Sequence, residues 1–328
     1  MQTIRWGILG TGSIARRIAA AVQFVEGAEL AAVGSRTQES ADKFADEFSI
    51  SHRHASYEAL AADADVDVIY VSTPHPFHKE NSLLALEGGK AVLCEKPFTI
   101  NAAEAMEVVA LARVKRLFLM EAMWTRYLPV MVKIRELIAQ GAIGEVRMLN
   151  ADFGFRANPI NPKSRTFDLA LGGGAVLDVG VYPISLASML FGAPSEIIST
   201  AYIGETGVDE QNAVVFKYPA GQIAITSSAV RTTTPQEAFI MGTEGRIHIA
   251  AEWWRGQRFT LKANGKEEVF DVPYEGNGFN YEVEEVGRCI GAGLLESPVM
   301  PLDETISIMR MMDTVRAEWG LVYPTEKA

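Results

Sequence analysis

In the first third of the chain, short and nearly all apolar runs alternate with amphipathic stretches. Ile4–Leu9, residues 30–33, Val68–Val71, 91–94 and 117–120 have the pattern of strands covered on both faces. Between them, residues 13–25, Gln38–Phe48, 78–86 and 102–113 carry helical spacing. Strand and helix in alternation predict βαβ units wound right-handedly into a parallel sheet. After Trp124 the texture changes. Pro129–Ala139 predicts a helix with proline at its start and Gly141 beyond its end. Residues 146–155, 197–203, 213–218, 222–228, 239–242, 246–250, 259–263 and 267–272 then read as strands of an antiparallel sheet. Pro219-Ala220-Gly221 and Asn264-Gly265 are turn signals, and the second is a strong hairpin cue. A helix follows the glycine run 172–174, and helical spacing returns over 281–290 and Leu302–Trp319.

The expected fold class is therefore α/β joined to α+β. A doubly wound Rossmann sheet spans residues 1–125, and a mostly antiparallel open sheet with helices spans 126–328, its last helix packing back on the first domain. A length of 328 residues agrees with about two domains. Thirty basic against 41 acidic residues leave a net charge of −11, which speaks against a nucleic-acid partner. No uninterrupted apolar run approaches the ~18 residues of a membrane span, and the first residues do not read as a signal peptide. Cys94 and Cys289 lack metal-ligand spacing and suit a reducing cytoplasm. His52 and His54, separated by one residue in what reads as a loop, are expected to be exposed, so no metal is expected.

Candidate chemistry lies at strand ends. Gly10-Thr11-Gly12-Ser13-Ile14-Ala15 directly follows the first strand in the G-x-G-x-x-A form. Gly10 permits the turn, Gly12 lets backbone approach a pyrophosphate, and Ala15 permits close helix packing. A carboxylate for the ribose 2′-hydroxyl of NAD is missing after the second strand. Ser35, Arg36 and Thr37 stand there, and a guanidinium with hydroxyls suits the 2′-phosphate of NADP better than NAD. Thr73-Pro74 with His78, and Glu95-Lys96-Pro97, leave later strands on the same edge. Lys96 can point an ammonium into the crevice or pair with Glu95. Asp178 and Tyr182, four apart beyond the glycine run, share one helical face.

With Met123-Trp124-Thr125-Arg126-Tyr127 and the 281–301 stretch, these motifs resemble, over the full length, the Gfo/Idh/MocA family of glucose–fructose oxidoreductases and inositol dehydrogenases. The branch they are most similar to holds dihydrodiol and NADP-dependent D-xylose dehydrogenases. The resemblance implies a dehydrogenase acting on a sugar or vicinal diol, with Lys96 beside the reacting oxygen, Tyr182 as general acid/base and Asp178 orienting the substrate. It places Gly10, Thr11, Gly12, Ser13, Ile14, Ser35, Arg36, Thr73, Pro74, His78, Glu95, Lys96, Trp124 and Arg126 around NADP. Trp124, Phe153, Phe155, Asp178, Tyr182, Trp254 and Phe279 would wall the substrate pocket. It also implies a homodimer through the second domain's sheet. Two rival readings are a cofactor-binding sensor without turnover and a sugar–sugar oxidoreductase with tightly held cofactor.

Overall fold

The structure, a computed structural model, describes residues 3–327. The chain divides into two compact units. The first runs to Tyr127 and adds Glu275–Ile306, and the second comprises Leu128–Tyr274 and the chain from Ser307 onward. Each unit is thus built from two separate stretches, where the sequence reading cut the chain once, at residue 125.

The first unit is a six-stranded parallel sheet. In chain order its elements are β1 (Ile4–Leu9), α1 (Ser13–Phe24), β2 (Ala28–Gly34), α2 (Gln38–Phe48), β3 (His52–His54), α3 (Tyr57–Ala61), β4 (Val68–Val71), α4 (His78–Glu87), β5 (Ala91–Glu95), α5 (Ala102–Lys115) and β6 (Leu119–Ala122). Strand order β3-β2-β1-β4-β5-β6 reverses direction between β1 and β4, so ligands of such a sheet are expected at the carboxyl ends of those strands. The central strands β4 and β5 are buried at every position, because helices cover both faces. Thr37, Ser56 and Asn101 cap α2, α3 and α5, each side-chain oxygen accepting a backbone N–H from inside its helix. Residues 275–306 are integral to this unit. Leu119 N–H donates to Leu295 O at 3.0 Å, and Asn277 Nδ2 donates to Arg17 O at 2.7 Å.

β3 corrects the sequence reading of His52 and His54. They are not free loop residues but an edge strand beside β2, both facing the carboxylate of Asp63. Three residues are too few for alternation to register as a strand.

The second unit continues with α6 (Pro129–Ala139), β7 (Val146–Gly154), α7 (Val181–Phe191), β8 (Glu196–Ile203), β9 (Asp209–Lys217), β10 (Ile223–Ala229), β11 (Ala238–Gly242), β12 (Gly245–Ile249), β13 (Arg258–Ala263) and β14 (Lys266–Asp271). After these come α8 (Asn280–Gly291), which belongs to the first unit, and α9 (Leu302–Trp319), within which the division falls. Eight strands lie in the order β14-β13-β12-β11-β7-β10-β9-β8. Every pairing is antiparallel except β7 with β10, which is parallel. Asn264 and Gly265 turn the β13–β14 hairpin with φ of +53° and +71°, as the Asn-Gly pair predicts.

One face of this sheet is covered by α7 and the turn before it. Leu169–Phe191 is long and apolar enough to cross a membrane, and it is mostly buried inside the protein. The other face carries a row of paired outward positions from Ile198 through Val215 and Ile225 to Asn150, continuing through Phe239, His248 and Thr260 to Val269. Ile198, Tyr202, Met148, Ile225 and Val269 on that face are exposed.

Candidate active site

In the first unit the loops after β1, β2, β4 and β5 gather at the carboxyl edge of the sheet. Gly10 leaves β1 at φ +102°, and a Cβ there would stand 2.9 Å from Ser72 Oγ, so both the turn and the close approach demand glycine. Around Gly12 an added Cβ would meet nothing within 4 Å. Gly12 caps α1 without a side-chain hydrogen bond, so the first N–H groups of the helix, at Ser13 and Ile14, have no side-chain acceptor. A bare, positively polarised helix start with room above it fits a pyrophosphate. Ala15 is fully buried behind the loop. Arg16, which the motif does not include, holds the loop from the far side through Thr11 O (2.9 Å) and Gly12 O (3.2 Å).

At the end of β2, Ser35 is buried and its N–H donates to His54 O at 3.0 Å, while Arg36 is exposed. Thr37 is committed to capping α2. The Arg36 charge reaches Tyr57, where it works against the burial that raises that phenol's pKa.

Beyond β4 and β5, His78 ties two loops together. Its Nδ1 lies 2.8 Å from Pro97 O and its Nε2 2.7 Å from Thr73 O. Burial pushes its pKa down to about 4, so at neutral pH the ring carries one proton for two carbonyls. Asn81 adds a bond to Thr73 Oγ1 at 3.1 Å. His78 thus acts on the site through the loops it holds, including the one that carries Lys96. The Lys96-Pro97 peptide is cis. Glu95 is buried and faces inward, accepting the Tyr70 hydroxyl on Oε1 and the Lys96 backbone N–H on Oε2 at 3.1 Å. Burial, then the Glu95 charge, pushes the carboxyl of Glu282 in α8 well above the usual carboxylate range. Trp124 stacks on Phe279 with ring centroids 4.4 Å apart, so these two expected wall residues do come together. Arg126 is almost wholly buried, with Nη2 on Glu304 Oε1 at 2.7 Å and Nη1 on Val299 O at 3.1 Å.

In the second unit the glycine run 172–174 leads into a π-helical turn, Val176–Gly180, before α7 begins. Wide turns of this kind are frequent at functional sites, and this one carries Asp178 just ahead of Tyr182. A Cβ on Gly173 would stand 2.8–3.0 Å from three carbonyl oxygens, those of Thr166, Asp168 and Arg165. Asp178 is buried and meets Arg165 with two bonds, Nη1–Oδ1 at 2.8 Å and Nη2–Oδ2 at 3.2 Å. Tyr182 packs on Phe153 with centroids 5.4 Å apart, and Phe153 stacks on Trp254 at 3.4 Å. Phe153 and Phe155 both pack against the cluster of Phe167, Ala175, Val179, Val208 and Val230. Arg165 and Asp209 are site-forming residues that motif reading missed. Oδ2 of the fully buried Asp209 accepts Val176 N–H and Asn212 Nδ2, both at 2.8 Å, which fixes the start of the π turn. From the far end of the chain, Tyr323 donates to Gly173 O at 2.9 Å.

Burial raises Asp209 to about 7, and hydrogen bonds from Asn212 and Val176 only partly oppose it. The folded chain then binds a proton there that the unfolded chain releases near pH 4, so this contribution to stability is present below about pH 4 and lost as pH rises toward 7. Oδ1 has no partner among the described residues and can carry that proton. In Asp209→Asn the amide nitrogen takes its place, so the variant is expected to lose up to about 1.4 kcal/mol per pH unit of slope over this range. Denaturant unfolding of both proteins between pH 4.5 and 8 checks this, and equal slopes would refute it.

Comparison with known proteins agrees with this geometry. Residues 4–123 match the model of an oxidoreductase family with an NAD-binding Rossmann fold, and residues 131–248 match the GFO/IDH/MocA C-terminal domain. Trans-1,2-dihydrobenzene-1,2-diol dehydrogenase of Xenopus tropicalis is 37% identical over 332 residues, 98% of this chain and 99% of that protein. The Homo sapiens protein of that name is 37% identical over 336 residues, 99% of this chain and all of that one. The 3-ketoreductase KijD10 of Actinomadura kijaniata, solved with NADP and TDP-benzene, superposes with a TM-score of 0.86 at 26% identity, covering 96% of this chain and 98% of that one. An aldose-aldose oxidoreductase of Caulobacter crescentus shares the fold, with a TM-score of 0.88 at 24% identity over 97% of this chain and 98% of that one. A Rossmann unit with a bare phosphate loop, a lysine at the end of β5 and two matched family domains lead to one conclusion: the chain belongs to the Gfo/Idh/MocA oxidoreductase family.

Proposed function

We propose that the chain is an NADP-dependent dehydrogenase that oxidises a CH–OH group flanked by a second oxygenated carbon, in a trans-dihydrodiol or at C1 of an aldose. The observation that carries this reading is the 37% identity to trans-dihydrodiol dehydrogenases over essentially the whole length of both chains. NADP as cofactor is supported by the absence of a carboxylate at the end of β2, by the exposed Arg36 there, and by the NADP of the 3-ketoreductase.

The nicotinamide, when bound, supplies the acceptor for the hydride. The rest falls to side chains. Tyr182 takes the proton of the substrate hydroxyl. A free phenol, with a pKa of about 10, is a weak base at neutral pH. The Lys96 ammonium beside the reacting oxygen favours the phenolate and steadies the oxygen as charge moves. Asp178, held at both oxygens by Arg165, orients the neighbouring hydroxyl. Each unit offers stacked rings as apolar surface for a substrate, Trp124 with Phe279 in the first and Phe153 with Trp254 in the second. An activity screen over trans-dihydrodiols, pentoses, hexoses and inositols, with NADP and NAD in parallel, tests the reading. Tight NADPH binding with no turnover on any of them would leave the sensor reading in its place. NADPH released during steady-state turnover counts against a tightly held cofactor.

Arg36→Ala is expected to raise KM for NADP roughly 10- to 100-fold, the cost of about 1.5–3 kcal/mol for a hydrogen bond to a charged group. KM for NAD should move less than about threefold. Equal losses for both cofactors would show that Arg36 does not read the 2′-phosphate.

We further propose a cytoplasmic homodimer joined through the outer sheet face that bears Ile198, Tyr202, Met148, Ile225 and Val269. The support is that these exposed apolar side chains lie on one face of the sheet across paired strands, the kind of surface that marks an interaction site. Light scattering should give twice the chain mass, and Ile225→Asp should shift it toward the monomer. A monomeric wild-type protein would rule this out.

A further inference from the structure

Away from the catalytic residues, three metal-ligating side chains converge on the edge of the first unit's sheet. His52 and His54 are two apart on β3, so the strand presents both imidazoles on one face. Asp63, in the turn after α3, brings Oδ2 to 2.7 Å from His52 Nδ1 and 2.8 Å from His54 Nε2. The two nitrogens and the carboxylate oxygen all lie within 4.8 Å of one another.

The surroundings hold this cluster in place. Oδ1 of Asp63 accepts the Asp65 N–H at 2.8 Å, which orients the carboxylate, and Lys90 Nζ bonds the backbone O of Asp63, which ties this turn to the residue before β5. Asp63 is almost buried while the two imidazoles keep an open side. Beside His52 lies a polar cavity of about 170 Å³ lined by Arg5, Glu29, Ser51 and Asp65. The cavity borders His52 alone of the three, and the partly exposed sides of both imidazoles leave room for water ligands.

We propose that His52, His54 and Asp63 form a binding site for a divalent first-row transition metal of the zinc or cobalt class. Two imidazoles and one carboxylate suit these ions, whereas magnesium and calcium prefer all-oxygen sets. On binding, the 2.7 and 2.8 Å hydrogen bonds between Asp63 Oδ2 and the two imidazoles give way to metal–ligand bonds of about 2.0–2.1 Å. The donor atoms move slightly apart, and water completes the shell from the open side. The ion fastens the turn after α3 to the edge strand. Because Ser35 N–H donates to His54 O, the site also abuts the loop that carries Arg36.

The test uses the full-length protein without a polyhistidine tag, stripped with chelator and dialysed. Titration with cobalt(II) alone should produce visible ligand-field absorption that saturates at one ion per chain, and added zinc(II) should abolish it. His52→Ala and His54→Ala should each weaken binding at least tenfold, and the double variant should abolish the signal. Thermal melts of the metal-free variants establish that they are folded. Asp63→Asn, which keeps the size of the side chain, is a second route should an alanine variant fail to fold. Zinc should raise the Tm of wild type and not that of the double variant. No saturable absorption in the wild type, or equal binding by the folded double variant, overturns the proposal. None of these readings depends on dehydrogenase activity, so the site and the proposed function fail independently.

Discussion

Tyr182→Phe is expected to lower kcat roughly 10²–10⁴-fold, the usual worth of one positioned proton-transfer group. Phe keeps the ring that packs on Phe153, so the fold and the pocket wall remain and only the hydroxyl is lost. Lys96→Met should fall in the same range. Because the two side chains act on one proton, the double variant should be little worse than the poorer single one. Affinity for NADPH, followed by quenching of protein fluorescence, should stay within about threefold for Tyr182→Phe. The pH profile sharpens the test. If Tyr182 is the base, the acid limb of kcat/KM belongs to its phenol and vanishes in the variant along with most of the rate. Near-normal turnover in both single variants would remove these residues from the mechanism while leaving the family assignment untouched.

The second large effect is on stability. Gly174→Ala is expected to cost about 3–5 kcal/mol, from two independent causes. Gly174 holds φ at +115°, a backbone conformation that an L side chain rarely takes. Its added methyl would also run into Asp209 Oδ1, and that carboxylate cannot swing away while Oδ2 holds Val176 N–H and Asn212. At roughly 2–4 °C per kcal/mol for a unit of this size, Tm should fall by about 10 °C or more. Gly265→Ala is the control. That glycine also has positive φ, +71°, but nothing lies within 4 Å of the new methyl, so the cost should be near 1 kcal/mol. Similar losses in the two variants, read by thermal melts, would mean that the carboxylate gives way and does not brace the π turn.

What was legible in the residues follows from how local each signal is. The phosphate loop, the strands of the parallel sheet other than β3, and the Asn264-Gly265 hairpin rest on neighbours in the chain, and they stand where the pattern put them. The family resemblance named Trp124 and Phe279 as wall residues, but nothing in the residues pointed to their stacking on each other. Arg165 was missed because it lies in a turn thirteen residues ahead of Asp178 with nothing periodic to mark it. Asp209 begins an ordinary strand, and only the return of β9 beneath the glycine run makes it a brace. A four-residue spacing of Asp178 and Tyr182 reads as one turn of α-helix, and no local rule shows that a residue has been inserted to widen it. The parallel pairing of β7 with β10 depends on a crossover some 70 residues long, which strand alternation does not encode. His52 and His54 acquire their carboxylate from beyond a five-residue helix.

The two-stretch make-up of the first unit bears on how the chain is made. When Tyr127 has left the ribosome, the parallel sheet is complete in strands but still lacks the partner of Leu119 N–H, the ring that stacks on Trp124 and the carboxylate that neutralises Arg126. Those groups arrive with Leu295, Phe279 and Glu304, after all of residues 128–274 have been synthesised. The long-range closure is entropically slow, and a nascent chain waits with an aromatic face and a cation uncovered. Synthesis that stalls between these points should leave the nascent first unit a client for chaperones, and a gene fragment ending near residue 127 should yield protein that aggregates.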